Sequence, residues 1–307
     1  NRPDILYDVP KMLLSSYGPL ALKWNYVPKM FKWFYHYLKN CNSKSMLHTA
    51  KYMHQILDLS LDAYEEILKE IDTTGLIEKK GIIYVWTNKN LKSRELEIKI
   101  RDELGVKQKH LTKEEILKLE PNLNPVFDAG VLYDYAMHAR DPHGILKNLF
   151  KLFQSKGGKF IQTEIKNLEQ ISSNETVIRS EGEEYKFEKS VIASGAFSKK
   201  LTDQLGENIP LDTERGYHVH FKNQDHLISR PVIFLDRGFG MTPMNQGLRA
   251  VGTVELGGLN NPPSEKRIEY IINCAKELLP QLGKHADEWL GFRPTLPDFL
   301  PILGPSL

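Results

Sequence analysis

Apolar residues recur at helical spacing over three long stretches of the chain. Residues 45–71 place an apolar side chain every three or four positions and end near a glycine, which predicts one long helix. A charged amphipathic pattern predicts a second helix over 89–105. A row of apolar residues with the same spacing predicts a third helix over 264–279.

Two further helices are indicated by their first residues. Thr112 and Glu115 have the spacing of a capping box, in which each side chain bonds the backbone of the other residue. Asp141 and Pro142 place a capping residue before a proline, whose fixed φ suits the first helical turn. We therefore expect helices to begin directly after Thr112 and Asp141.

Runs of β-branched and aromatic residues predict strands in two parts of the chain, one early and one between residues 130 and 256. The runs are GIIYVWT, KFIQTEIKNLEQI, TVIRS, EYKFEKSVIASGA, YHVHF, PVIFL, GMTPM and LRAVGTVEL. Helices and strands are mixed, and neither a linker nor an internal repeat separates them. The pattern therefore predicts a mixed α/β fold with interleaved domains.

The composition is that of a globular protein with a sizeable core, since 41% of the 307 residues are hydrophobic and 26% are charged. The net charge of +2 is too small to indicate nucleic acid as the main partner. Two distant cysteines, Cys41 and Cys274, exclude a disulfide scaffold and favour a reducing compartment. No apolar run is long enough to predict a membrane span.

Aromatic and basic residues alternate between residues 20 and 40. Such a mixture is typical of a helix that lies at a membrane surface, with Trp24 and Trp33 at the interface and lysines meeting anionic headgroups. It is also the pattern of a surface helix whose aromatic side chains pack on the body of the protein, and such helices are common. The residues alone leave both interpretations open.

Three passages indicate possible chemistry. VIASGAFS (191–198) ends a β-branched run in small residues, which lets another group approach the backbone closely. LRAVGTVELGG (248–258) interrupts a strand at Gly252, which is typical of a bulge, and we expect a structural role for Glu255. Arg293 stands among apolar residues and prolines, so it needs a partner, either a protein carboxylate such as Asp298 or a substrate carboxylate.

His218 and His220 lie two residues apart in a predicted strand and therefore share one face. Two histidines on one face suit a metal ion, but no third ligand is visible in the sequence. We expect surface or packing roles for both.

The three passages and RGYHVHF (215–221) together resemble the motifs of the D-amino-acid oxidase-like family of FAD-dependent oxidoreductases. GFRPTLPDFLPILGP (291–305) is the most specific of them, and the resemblance covers essentially the whole chain. The segment from residue 8 to 38 further resembles the D-amino-acid dehydrogenase small-subunit branch. The resemblance implies a Rossmann-like flavin-binding domain interleaved with a substrate domain built on a large mixed or antiparallel sheet.

From the resemblance we expect the substrate domain over 1–139 and 206–288, and the FAD-binding domain over 140–205 and 289–307. Family members begin with a GxGxxG turn that binds the ADP part of FAD, and no GxGxxG occurs in these 307 residues. Family members also continue beyond the position of Gly304 with a glycine-rich stretch and a helix that contact the flavin. We therefore expect an internal fragment that lacks both ends and is inactive by itself.

The resemblance implies oxidation of the Cα–N bond of a D-amino acid to a 2-oxo acid and ammonia, by hydride transfer to N5 of FAD. In the dehydrogenase branch the electrons pass to a quinone or another carrier instead of oxygen. We expect a cytoplasmic enzyme, and contact with the inner face of the membrane through residues 20–40 stays an open expectation. The alternatives are a sarcosine-, glycine- or opine-type amine oxidase on the same scaffold, or a truncated, non-catalytic binding module.

The resemblance also assigns site residues, with no side chain acting as a general base. The substrate-binding residues would be Arg293, Tyr217, Gly240 and Met241. Gly240 stands where the glycine oxidase branch has a tyrosine, which implies a roomier pocket or another donor such as Tyr217. The cofactor-binding residues would be Ile165, Ser194, Gly195, Ala196 and Gly304.

Overall fold

A nine-stranded mixed sheet is the centre of the computed structural model, which describes residue 9 and residues 18–88 and 91–306. The strands of the described residues are β1 (Leu20–Leu22), β2 (Ile77–Glu78), β3 (Ile82–Trp86), β4 (Lys109–Thr112), β5 (Ala129–Tyr133), β6 (His138–Ala139), β7 (Asn167–Ser172), β8 (Glu175–Arg179), β9 (Glu184–Phe187), β10 (Asp212–Lys222), β11 (Val232–Phe234), β12 (Phe239–Met244), β13 (Gly247–Leu256) and β14 (Asp287–Thr295). The helices are α1 (Val27–Asn40), α2 (Ser43–Asp58), α3 (Ser60–Leu68), α4 (Leu91–Glu103), α5 (Lys113–Leu119), α6 (Pro142–Ser155), α7 (Ser198–Thr202) and α8 (Glu265–Leu278).

The large sheet has the strand order β14-β10-β13-β12-β11-β3-β5-β4, and β1 joins it beside the end of β13. Neighbouring strands are antiparallel except for the pairs β1–β13 and β11–β3. The strands β2 and β6 form a separate pair, and β7, β8 and β9 form a small antiparallel sheet. The predicted mixed α/β fold with a large mixed sheet is confirmed.

One face of the large sheet is covered by α8, whose apolar side chains meet those of the central strands. Ile271, Ala275 and Leu278 of α8 are fully buried in this core together with Val219 and Met241 of the sheet. Burial of such side chains stabilises the fold by about 25 cal/mol for each Å² of apolar surface removed from water. The core therefore fixes which residues of each strand point away from α8.

The opposite face carries α1 at one end and is otherwise partly exposed. Met30 and Trp33 of α1 are buried against Leu256 of β13. The indole Nε1 of Trp33 donates a hydrogen bond to the backbone oxygen of Thr295, over 3.1 Å. We call the remainder of this side, where Gly216, His218, Gly240, Val251 and Arg293 lie, the open face.

Most predicted elements are found where the sequence indicated them. The capping box at Thr112 and Glu115 is complete, with both reciprocal hydrogen bonds present. Asp141 accepts from the backbone N–H of Gly144 at the start of α6. The long helix predicted over 45–71 is in fact two helices, α2 and α3, that meet at Leu59.

Two of the predicted strands are wrong in part. Residues 159–166 and 188–194 have no strand, although their sequences are rich in β-branched residues. Val191 is 90% exposed there, and no described strand pairs with either segment. A high β-propensity produces a strand only where a neighbour supplies hydrogen bonds and packing. The domain boundary expected at residue 289 lies inside β14, which belongs to the large sheet up to Thr295; the rest of the domain division stays a prediction.

Among the described residues, none of the helices combines the length and the apolar character that crossing a membrane requires.

The packing of α1 predicts opposite outcomes for two aromatic residues of that helix. Trp33→Ala should lower the free energy of unfolding by about 3–5 kcal/mol, because Trp33 is 6% exposed and its removal leaves a cavity. Phe31→Ala should change it by less than about 0.5 kcal/mol, because Phe31 is 75% exposed. Urea unfolding followed by circular dichroism measures both values. Equal losses would show that α1 does not pack in this orientation.

Candidate functional site

Arg293 lies on the open face in β14, directly opposite Glu214 of β10. Its guanidinium group occupies the space above Gly216, where a Cβ atom would stand only 2.3 Å from Nη2. Gly216 pairs with Gly291, and the ring of Trp289 fills the space above that second glycine. Two glycines facing each other across β10 and β14 thus make a shallow floor on which the guanidinium and the indole rest.

A β-bulge in β13 supplies the hydrogen-bond acceptor for Arg293. Arg215 pairs with Glu255 and Tyr217 with Gly252, so β13 has one residue more than β10 between these pairs. Thr253 lies in this bulge with φ of 64°, a conformation that a β-branched residue rarely adopts. Its backbone oxygen accepts a hydrogen bond from Nη1 of Arg293 over 3.4 Å. The bulge predicted at Gly252 is therefore present, one residue later.

A buried ion pair holds the other side of the bulge. Nη1 of Arg215 lies 2.9 Å from Oε1 of Glu255, and both side chains are nearly inaccessible to solvent. The hydroxyl of Tyr217 donates to the same carboxylate over 2.8 Å and accepts from the backbone N–H of Ser264. Burial and the carboxylate of Glu255 raise the pKa of Tyr217 to about 12. Glu255 therefore has the structural role that the sequence indicated.

The guanidinium of Arg293 has no carboxylate within ion-pair distance among residues 18–88 and 91–306. Its hydrogen bond is to the backbone of Thr253, and the residue is exposed. Asp298, the alternative internal partner, accepts from the backbone N–H of Leu300. The planar fork of Arg293 is thus presented on the open face, in the form that binds a carboxylate through two parallel hydrogen bonds.

The other predicted substrate residues divide between the two faces. Gly240 lies on the open face, where the side chain of Ile233 stands 2.4 Å from the position of a Cβ atom. Tyr217 and Met241 lie on the opposite face, buried in the core that α8 covers. Neighbouring residues of a strand point to opposite faces, so a substrate bound over Arg293 would not contact these two side chains. Tyr217 would not replace a tyrosine at the position of Gly240 for the same reason. The assignment of Tyr217 and Met241 to the substrate site stays a prediction.

The predicted cofactor residues lie in segments without regular strand structure. Gly195 begins a short 3₁₀ helix (Gly195–Phe197) that contacts β14, with the rings of Phe197 and Phe292 6.1 Å apart. Its φ is 58° and no atom lies within 4 Å of where a Cβ would stand. Ser194 is exposed and Ala196 is partly buried beside it. This exposed glycine backbone next to the strand of Arg293 fits a flat group such as FAD, which needs close backbone approach.

The two remaining cofactor residues lie apart from this turn in sequence. Ile165 is partly buried just before β7, whose Leu168 N–H donates to the side chain of Gln204. Gly304 is exposed, and Ser306, two residues later, donates to Glu207. Both segments are therefore tied to the stretch that follows α7, and their contact with FAD stays a prediction.

The two strand histidines make different contacts. The ring of His218 stacks on Trp289 with centroids 5.0 Å apart, and burial lowers the pKa of His218 to about 4. His220 lies 4.0 Å from Asp287. Among the described residues no group of three His, Cys, Asp or Glu side chains is placed to hold a metal ion.

Three residues of the site were not singled out from the sequence: Glu214, Arg215 and Trp289. The alternation of side chains along a strand could have indicated Glu214, because positions 214, 216, 218 and 220 share one face. The ion pair of Arg215 with Glu255 depends on the register of two strands 40 residues apart, which no local pattern reveals.

Comparison with known proteins gives matches over nearly the whole chain. A family model described as FAD dependent oxidoreductase (DAO) matches residues 26–307. A D-amino-acid oxidase from Bradyrhizobium diazoefficiens is 30% identical over 311 aligned positions, which cover 99% of this chain and 73% of that protein. A D-amino acid dehydrogenase from Vibrio atlanticus is 28% identical over 98% of this chain and 74% of its own length.

Similar folds occur among solved structures. The glycine oxidase from Geobacillus kaustophilus superposes with a TM-score of 0.70, over 81% of this chain and 68% of that one. Its sequence is 23% identical, so this similarity shows a shared fold.

The floor of the site predicts the effect of Gly216→Ala. The added methyl group takes the place of the guanidinium of Arg293, so the guanidinium must move. Propionate, a simple carboxylate that would bind to this group, should then bind roughly tenfold more weakly. Gly283→Ala is the matched control, because its Cβ would meet its nearest neighbour, Gln224, at an ordinary 3.4 Å. Titration calorimetry gives the affinities and thermal unfolding confirms the fold. Unchanged propionate affinity in folded Gly216→Ala would exclude this placement of the carboxylate.

Proposed function

Because the chain belongs to the DAO family of FAD-dependent oxidoreductases, we propose that it oxidises the Cα–N bond of a D-amino acid. The products are a 2-oxo acid and ammonia. The enzyme class and the FAD cofactor follow from the family itself. The D-amino acid is supported by relatives described as D-amino-acid oxidase and D-amino acid dehydrogenase, which match nearly all of this chain.

The observation that carries this proposal is the guanidinium of Arg293. It lies on the open face, rests on Gly216 and has no carboxylate partner within the described chain. An amino acid supplies a carboxylate in every case, whatever its side chain. A bidentate contact fixes that carboxylate in position and in plane, so the bond at Cα is oriented relative to the sheet.

FAD, when bound, supplies the acceptor for the hydrogen and the electron pair that leave the substrate. The backbone of Ser194, Gly195 and Ala196 would hold part of it beside β14. The protein residues contribute binding and orientation. The amino group of the substrate loses its ammonium proton to water, and as the neutral amine it provides the electron density that assists the loss of hydrogen from Cα. Water then hydrolyses the imino acid to the 2-oxo acid and ammonia.

The proposal extends to the electron acceptor, a quinone or another carrier, reached at an anionic membrane surface. The support is the surface of α1 and the residues around it. Trp24 is 74% exposed and Phe31 is 75% exposed, whereas Trp33 is buried and does not belong to this surface. No Asp or Glu occurs between residues 18 and 57. The same stretch contains Lys23, Lys29, Lys32, Lys39, Lys44 and Lys51. Exposed aromatic residues among lysines are typical of segments that bind anionic lipid.

Arg293→Lys tests the proposed substrate site in the FAD-loaded enzyme. Lysine keeps the positive charge but cannot make two parallel hydrogen bonds to a carboxylate. The transition state should therefore lose about 1.5–3 kcal/mol of stabilisation, which lowers kcat/KM for D-amino acids, with FAD still bound. Turnover is measured on a panel of D-alanine, D-phenylalanine, D-proline and D-glutamate, with the L-enantiomers, glycine and sarcosine for comparison.

The panel and the variant separate the alternatives. Turnover confined to glycine or sarcosine would replace the D-amino acid by the smaller amines. Turnover of D-amino acids with an unchanged kcat/KM in Arg293→Lys would remove Arg293 from the site. Flavin absorbance after purification shows whether the variant still holds its cofactor.

Sedimentation with vesicles tests the membrane contact. The enzyme should sediment with vesicles that contain anionic phosphatidylserine and remain in solution with neutral phosphatidylcholine vesicles. Replacement of Trp24 and Phe31 by Ser should abolish binding, whereas Phe160→Ser, at a 63% exposed aromatic residue outside this segment, should leave it unchanged. No sedimentation with anionic vesicles at low salt would show that α1 serves packing alone.

A further inference from the structure

Glu214 occupies an unusual place for a carboxylate. It lies in the interior of β10, with its side chain on the same face as Arg293 and directly opposite it. On its other side it pairs with Leu256, which packs against Met30 and Trp33 of α1. Glu214 is therefore partly buried, between the apolar contact of α1 with the sheet and the open face.

Within the part of the chain that the structure describes, the carboxylate of Glu214 makes no hydrogen bond and belongs to no ion pair. The guanidinium of Arg293 leans away from it, over Gly216. Burial raises the pKa of the Glu214 carboxyl, and the charge of Arg293 opposes that rise. A carboxylate that is partly removed from water without a partner is costly, so a cationic group from outside the chain would stabilise it.

Arg293 and Glu214 place opposite charges side by side on one face of two adjacent strands. Side chains directly opposite each other in an antiparallel pair have Cβ atoms about 4.5–5.5 Å apart. Side chains that start this close together can present a cation and an anion to neighbouring groups of one small molecule, such as the carboxylate and the ammonium group of an amino acid. The pair is thus complementary to a zwitterion rather than to a simple carboxylate.

We propose that Glu214 binds the α-ammonium group of the amino acid whose carboxylate lies on Arg293. This inference rests on the proposed function and deepens it. Glu214 fixes the nitrogen as Arg293 fixes the carboxylate, so two of the substituents of Cα are held and the orientation of the third and fourth is determined. The site then selects amino acids over 2-hydroxy acids and over carboxylic acids that lack nitrogen.

Glu214→Gln in the FAD-loaded enzyme tests this with two ligands of different charge. The ligands are D-alanine, or the best D-amino acid of the panel, and its analogue without nitrogen, which is propionate for D-alanine. The KM for the amino acid should rise roughly tenfold or more, because a charge-assisted hydrogen bond is lost. Inhibition by propionate should stay equal or become stronger, because a negative charge beside the carboxylate site has been removed. Glu269→Gln, on the exposed side of α8, is the matched control.

The outcomes separate this inference from the proposed function. If Arg293→Lys weakens both ligands and Glu214→Gln weakens only the amino acid, both stand. If Arg293→Lys weakens both and Glu214→Gln changes neither, or changes both alike, the role of Glu214 is overturned and that of Arg293 remains. If neither ligand depends on Arg293, the carboxylate site at Arg293 is overturned, whereas absence of D-amino acid turnover would overturn the proposed function. Should Glu214→Gln not fold, Glu214→Asp keeps the charge on a shorter side chain and should give a smaller rise in KM with unchanged inhibition by propionate.

Discussion

The bulge at Thr253 is the constraint on which the arrangement of the open face depends. At this residue β13 changes its neighbour, from β12 up to Gly252 to β1 from Val254 onward. The left-handed conformation of Thr253 is unfavourable for a β-branched residue. The buried pair of Arg215 and Glu255, directly behind the bulge, holds the strands in this register. A backbone oxygen is thereby directed to the open face, where Arg293 uses it.

The two faces of β10 have different roles in the candidate site. Arg215 points inward to its buried ion pair, while Glu214 and Gly216 on either side of it point outward. The inward residue fixes the strand, and the outward residues present a carboxylate and an empty place for the guanidinium of Arg293. A rigid strand positions such groups more accurately than a loop does, since its register is fixed along the whole sheet. Under the proposed function, the sheet therefore orients the substrate.

The sequence predicted what local patterns determine and failed where distant residues decide. The helices that follow Thr112 and Asp141 were found because capping is a local interaction. Arg293 was predicted through a motif that carries its own prolines and glycines, and its role in binding substrate stays a prediction. The motif around Tyr217 predicted a site residue without indicating on which face of β10 it lies. The alternation of side chains along β10 places Tyr217 in the core. Residues 188–194 have strand propensity, but no described strand pairs with them.

Arg293 as the carboxylate site of a D-amino acid is the central claim about this enzyme. The crystal structure of the FAD-loaded enzyme with propionate bound, followed by the complex with a D-amino acid under reducing conditions, tests it most directly. The claim predicts both carboxylate oxygens about 2.7–2.9 Å from the guanidinium nitrogens of Arg293, above Gly216. A carboxylate bound elsewhere, with Arg293 paired to a carboxylate of the protein, would contradict it.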